Sequence, residues 1–273
     1  MLMGLRRMIG LIVFGCLLGS TAIAGYEECS GIGPREAYNF LDVHGIKACF
    51  AYTRVSVKNE GKYSRDPDGI SLYSVISSEN PKLVYEFPYA GTAGAITDAF
   101  FLPVAGAAEE MLFVIHRMEA PRSWDSVGNI YNVSVIRREG DALVLDQKRT
   151  RFFDLGGDTV DGQGRSTYVY PYKDQKSVEA AVGSPLFQTI VTEKKIKGSI
   201  LEKTFLYDGG SEPLLQNSSK TYLIKGDSVL VEDSMAGWCK VSYQAKVKII
   251  TKWAQCKSIN FSASKVRHAN QTG

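Results

Sequence analysis

From Phe50 to Asp146 the chain alternates short apolar runs with turn chemistry. The runs are Phe50–Val57, Ile70–Ser77, Lys82–Phe87, Met111–Met118, Ile130–Arg138 and Ala142–Asp146, all rich in β-branched or aromatic residues. Between them lie Asn59-Glu60-Gly61, Asp66-Pro67-Asp68-Gly69, Asn80-Pro81 and Gly140-Asp141, residue types that set turn dihedrals or hydrogen-bond their own backbone. Within Ile130–Arg138, Tyr131, Val133 and Val135 share one face while Asn132, Ser134 and Arg138 largely oppose them, the period of two that a pleated strand imposes. The expected fold class is therefore mainly β, with an N-terminal antiparallel domain built as a sandwich, barrel or propeller-like unit. No repeat of fixed period selects the propeller.

Three segments break the pattern. Pro34 with Ala37, Phe40 and Leu41 at helical spacing, and Gly45 to terminate, predicts one short helix before the strands begin. Residues 154–166, DLGGDTVDGQGRS, are polar and glycine-rich and read as a loop. Ser177–Val182 reads as a helical turn stopped by Gly183-Ser184-Pro185.

The N-terminus carries targeting chemistry. Arg6 and Arg7 precede the uncharged apolar stretch Met8–Leu18, and Thr21-Ala22-Ile23-Ala24 supplies a small-residue cleavage site. That stretch falls short of the roughly 20 residues a membrane-spanning helix needs. Residues 1–24 are thus expected to be a signal peptide, placing the protein outside the cytoplasm, in the periplasm, with no transmembrane segment after processing. Four cysteines remain: Cys29, Cys49, Cys239 and Cys256. An even number in an exported chain argues for disulfides. Of three possible pairings, the local couples Cys29–Cys49 and Cys239–Cys256 are expected, each worth about 3 kcal/mol in chain-entropy terms. No CxxC pair supports zinc instead.

The C-terminal part reads Phe205-Leu206-Tyr207, then Tyr222-Leu223-Ile224-Lys225-Gly226-Asp227-Ser228-Val229, then Gly237-Trp238-Cys239-Lys240-Val241, then Trp253 before Ile259. In this order and spacing the segments resemble the bacterial SH3-like domain, a small β-barrel. The resemblance implies a binding module over residues 200–260, after a β-rich domain over 25–195 and before a flexible tail over 261–273. It also implies that exposed aromatics form a groove for peptides, including cell-wall peptides, with Tyr207, Tyr222, Tyr243 and Trp253 as candidates. Gln244–Lys252 is longer and richer in lysine than the family's corresponding segment, so no ligand specificity carries over.

Charge and chemistry narrow the function. The chain carries a formal +3, yet residues 25–192 hold 17 basic against 22 acidic side chains and residues 193–273 hold 13 against 7. A basic module beside an acidic body suits an anionic partner. Export and near-neutral net charge argue against nucleic acid. His44, His116 and His268 lie in no motif, and Gly-x-Ser-x-Gly, HExxH and phosphate-binding glycine loops are missing from the sequence. No catalytic residue or cofactor is assigned. Asp154, Asp158 and Asp161 lack EF-hand spacing and a closing glutamate, so no metal is assigned either. The connection Glu119–Asn129 places Arg122, Trp124 and Asp125 between two strands, and Trp and Arg are the types most enriched at interface hot spots. The expected function is a non-catalytic binding protein. Its partner is a protein of the envelope, such as a toxin or hydrolase, or alternatively peptidoglycan bound through the SH3-like module.

Overall fold

The computed structural model describes residues 29–53, 69–76, 80–209, 218–246 and 248–261. The expected signal peptide, the expected turns at 59–61 and 66–68 and the expected tail beyond 261 lie outside them. Three antiparallel sheets make up the fold.

The first sheet has β1 (Glu36–Val43), β2 (Ile46–Thr53), β3 (Gly69–Val75) and β4 (Lys82–Glu86) in chain order. The second contains β5 (Gly94–Leu102), β6 (Met111–Glu119), β7 (Val127–Glu139), β8 (Ala142–Leu145), β9 (Gly156–Val160) and β10 (Ser166–Tyr168). Its order is β10-β9-β7-β6-β5, and β8 pairs with β7. The third runs β13-β12-β16-β15-β14-β11-β17. Its members are β11 (Ile196–Ile200), β12 (Thr204–Tyr207), β13 (Ser218–Leu223), β14 (Ser228–Met235), β15 (Trp238–Ala245), β16 (Lys248–Gln255) and β17 (Ile259–Phe261). Its end strands, β13 and β17, are not paired with each other among the described residues. Helix α1 (Gln147–Phe153) falls between β8 and β9 in sequence, and α2 (Gln175–Val182) and α3 (Pro185–Thr192) fall between the second and third sheets.

The second sheet is the middle layer. One face, with Leu112, Val114 and Ile136, packs on Phe50, Leu72 and Phe87 of the first sheet and its edge. The other face, with Phe113, Ile115, Val133 and Val135, joins a larger core that also takes in Phe152, Phe153, Phe187, Trp238 and Trp253. The alternation along β7 is present, but its polar face is also buried: Asn132 and Ser134 are 1% and 0% exposed. Ser134 and Asn132 bond each other at 2.7 Å, which makes this burial tolerable.

The helix expected over Pro34–Gly45 is instead strand β1. Its burial follows exposed, half, half, repeated, because register shifts interrupt the pairing with β2 between Glu36 and Tyr38 and again between Tyr38 and Leu41. Bulges add residues to one strand and so convert a period of two into one near three, which imitates a helix. Gly45 does end the element, but as the second residue of the His44-Gly45 hairpin turn, both at positive φ.

The loop expected over 154–166 is instead mostly the β9–β10 hairpin, with only Asp161–Arg165 as its turn. Its glycines permit close packing. A Cβ on Gly156 would lie 2.5 Å from the Tyr170 ring, and one on Gly157 would lie 2.9 Å from Val127. The helical turn at 177–182 is α2, capped by Asp174 and Ser177 in a reciprocal box. Gly183 ends it, yet Pro185 starts α3 rather than stopping helix altogether. Ser184 Oγ accepts from Phe187 N at 3.2 Å, and Pro at a first helical position forfeits no bond.

Both disulfides pair as expected. Cys29 and Cys49 have Cα atoms 5.6 Å apart and tie the chain before β1 to β2. Cys239 and Cys256, with Cα atoms 5.1 Å apart, join β15 to the residue following β16.

The third sheet meets the middle of the protein at the Ala236-Gly237 turn between β14 and β15. Ala236 N donates to Phe152 O at 3.0 Å, and its carbonyl accepts the buried Tyr168 hydroxyl. Tyr168 stacks on Trp238 at 5.1 Å. Gly237 has φ +80°, and a Cβ there would lie 2.7 Å from Pro171. Gly237→Ala is therefore expected to destabilise by about 2 kcal/mol, combining left-handed backbone strain with the clash. A Cβ on Gly162 would meet no atom within 4 Å, so Gly162→Ala should change stability by less than about 0.5 kcal/mol. Urea unfolding with an unchanged slope and a lowered midpoint for Gly237→Ala alone is the result to look for.

Candidate functional sites

Trp124 sits at the tip of the β6–β7 connection and is 41% exposed. Arg122 and Asp125 beside it are exposed as well. The backbone beneath them is closed by bonds from Trp124 N to Pro121 O (2.8 Å), Val127 N to Trp124 O (2.9 Å) and Ala120 N to Gly128 O (3.0 Å). A further bond, Val160 N to Ser126 O at 2.9 Å, attaches the loop to the end of β9. The indole is thus presented outward on an ordered support.

The four aromatics assigned to one groove separate. Tyr207 and Trp253 come together, directly opposite each other across β12 and β16. Both line a cavity of about 610 Å³ whose polar wall includes Arg151, Asp233, Lys240 and Lys252. Arg151 pairs with Asp233 at 2.5 Å and Lys252 with Asp208. Tyr207 is half-buried with its ring 4.9 Å from Trp238, and that burial raises its hydroxyl pKa. Tyr222 lies away from this cavity, opposite Phe205 on β12. Tyr243 stands opposite Ile250 on the β15–β16 hairpin. The lysine-rich Gln244–Lys252 segment forms the far end of that hairpin, with Gln244 opposite Ile249 and Ala245 opposite Lys248.

A second cavity, of about 590 Å³, lies where the Gly106–Met111 segment meets Arg137 and Arg138 of β7 and Arg149 of α1. Asp146 holds Arg149 through both its backbone N–H and its guanidinium. No sequence motif marked this site, because its arginines come from separate elements.

His116 is 1% exposed on the face of β6 toward the first sheet, its ring 5.3 Å from Phe87. Gly94 opens space for it, since a Cβ there would lie 2.6 Å from Nε2. His44 is exposed and 3.6 Å from Glu109. The three aspartates of 154–161 have separate partners. Asp154 accepts from Leu155 N, Asp158 from Tyr170 N and Lys173, and Asp161 from Gln163 and Arg165. The Arg165 backbone bond is the main reason that the Asp161 pKa is lowered. Among the described residues no group of three or more His, Cys, Asp or Glu side chains is placed to hold a metal ion. No protein-family model, no curated protein and no solved structure matches the chain.

Burial lowers the His116 pKa from 6.5 to about 4. Between those values the unfolded chain binds a proton that the folded protein refuses. Stability should therefore be level above pH 6.5 and fall as the pH drops toward 4, by about 3 kcal/mol in total. Equilibrium unfolding across that window should show this slope in the native protein and most of it lost in His116→Leu.

Proposed function

We propose that the chain is an exported, non-catalytic binding protein of the bacterial envelope that docks a protein partner through the β6–β7 loop, as an inhibitor or immunity protein docks a toxin or hydrolase. The observation carrying this reading is an exposed Trp124, flanked by exposed Arg122 and Asp125, on a loop whose backbone is already hydrogen-bonded. Trp and Arg supply large contact area and directed bonds, and a loop ordered in advance avoids the entropic loss of ordering on binding. Two disulfides fit an oxidising compartment.

A second reading assigns binding to the C-terminal sheet, as an SH3-like module for peptidoglycan peptides. The Tyr207–Trp253 cavity favours it, since it offers aromatic surface with both cations and carboxylates, the functional groups a peptide carrying both charges would engage.

Residues 25–273, oxidised, should retain a stoichiometric protein from envelope extract, and Trp124→Ala should weaken that complex about 30-fold, the effect of removing a hot spot worth about 2 kcal/mol. Retention on purified sacculi with no protein partner, unaffected by Trp124→Ala, would instead support the second reading and eliminate the first.

A further inference from the structure

The outward face of the third sheet at its β12–β13 end presents apolar surface that the fold does not use. Phe205 and Tyr222 face each other across the two strands, 47% and 49% exposed, with ring centroids 6.2 Å apart. Their strand neighbours Leu206 and Leu223 fill the core instead, at 0% and 1% exposure. Ile224, two residues past Tyr222, is exposed, as is Leu201. Bonds from Ile200 N to Asp227 O and from Gly226 N to Ile200 O hold Leu201 beside the Ile224–Asp227 turn. Four of the eight large apolar side chains exposed among the described residues therefore gather at this one corner.

Lysines accompany them. The Lys203 ammonium stands 4.3 Å from the Tyr222 ring centroid and 5.5 Å from that of Phe205. Lys220 lies two residues before Tyr222 on β13 and is exposed like it, and Lys225 follows Ile224. Two acids lie nearby, Glu202 and Asp227, the latter accepting from Ile224 N at 2.9 Å, so the three lysines leave the corner with a positive surplus of one.

We propose that this face is a peripheral membrane contact that seats the third sheet on an anionic lipid surface. Aromatic rings belong at the headgroup level, aliphatic side chains just beneath it, and lysine stems cross apolar surface while their ammonium groups reach lipid phosphates. Charge complementarity selects the occupant: residues 193–273 carry a surplus of six positive charges, whereas residues 25–192 carry five negative. The proposed contact is interfacial, made by side chains of a sheet face; no helix among the described residues is long and apolar enough to cross a membrane. Four side chains and three lysines make a reversible attachment that depends on anionic lipid.

Sedimentation of residues 25–273, oxidised, with vesicles tests this. The protein should pellet with vesicles of phosphatidylcholine plus phosphatidylglycerol and far less with phosphatidylcholine alone. Phe205→Ser combined with Tyr222→Ser should reduce partitioning at least about ten-fold, from the apolar area removed. Lys203→Glu should reduce it at least about five-fold and flatten its salt dependence. These side chains are exposed, so an unchanged thermal midpoint verifies that each variant is folded. Trp124→Ala should pellet like the native protein, which separates this contact from the protein-binding loop. Failure to pellet with anionic vesicles, equal pelleting with both vesicle types, or equal pelleting of the double variant would overturn the proposal. So would a double variant that loses self-association while keeping its vesicle binding.

Discussion

The attachment of the Ala236-Gly237 turn to the middle of the molecule is the constraint on which the rest of the structure depends. A hairpin turn with both residues at positive φ strains Ala236, at a magnitude of about 1–2 kcal/mol. That strain is offset because both backbone groups of Ala236 are bonded, one to Phe152 and one to Tyr168. Two glycines make the approach possible: Gly237 admits Pro171, and Gly156 admits the Tyr170 ring and Ala236. Neither disulfide crosses this junction, which relies on packing, hydrogen bonds and the Arg151–Asp233 ion pair between α1 and β14. Cys256 N still reaches back to Gly237 O at 2.9 Å, so the turn and the second disulfide reinforce one another.

Much of this was legible in the sequence. The strands β3, β4, β6, β7 and β8 were readable because each is an apolar run rich in β-branched or aromatic residues set off by turn chemistry. The cysteine pairs were readable because each couple lies close in sequence within one β-rich segment. Element type failed where a bulge or a close contact changed the rule. Two bulges made β1 look helical, and β9 hid behind glycines that are there for ring contacts rather than for flexibility. β5 and α1 were not assigned from the sequence, although Pro103 follows the one and Asp146 caps the other. Their place is decided by tertiary packing, β5 on β6 and α1 against β7 and α3.

The candidate sites were legible to different degrees for related reasons. Trp124 stood out because a tryptophan in a polar connection conflicts with local composition, and such conflicts concentrate where function overrides folding. The groove aromatics could not be sorted by sequence, since inward and outward positions on a short strand differ only by register, which the bulge between Phe205 and Tyr207 shifts. Phe205 and Ile224 read in the sequence only as parts of a motif. Their outward placement emerges from the pairing with Tyr222 and the burial of Leu206 and Leu223.

One strand links these surfaces. β9 receives the Trp124 loop at its far end through Val160 and Ser126, pairs with β7 along its length, and at Gly156 touches Ala236 at the third-sheet junction. The Trp124 loop and the Phe205–Tyr222 corner are thereby carried on elements connected by ladder hydrogen bonds and close packing rather than by a free linker. A fixed separation between two weak contacts raises the effective concentration of the second once the first has formed, provided that both targets lie within reach. A partner embedded in or resting on the same membrane satisfies that geometry, whereas a freely diffusing partner gains nothing from the lipid contact. For the proposed membrane contact, the charge asymmetry acts in the same direction: a surplus of six positive charges over residues 193–273 favours an anionic surface, and the surplus of five negative charges over residues 25–192 disfavours it.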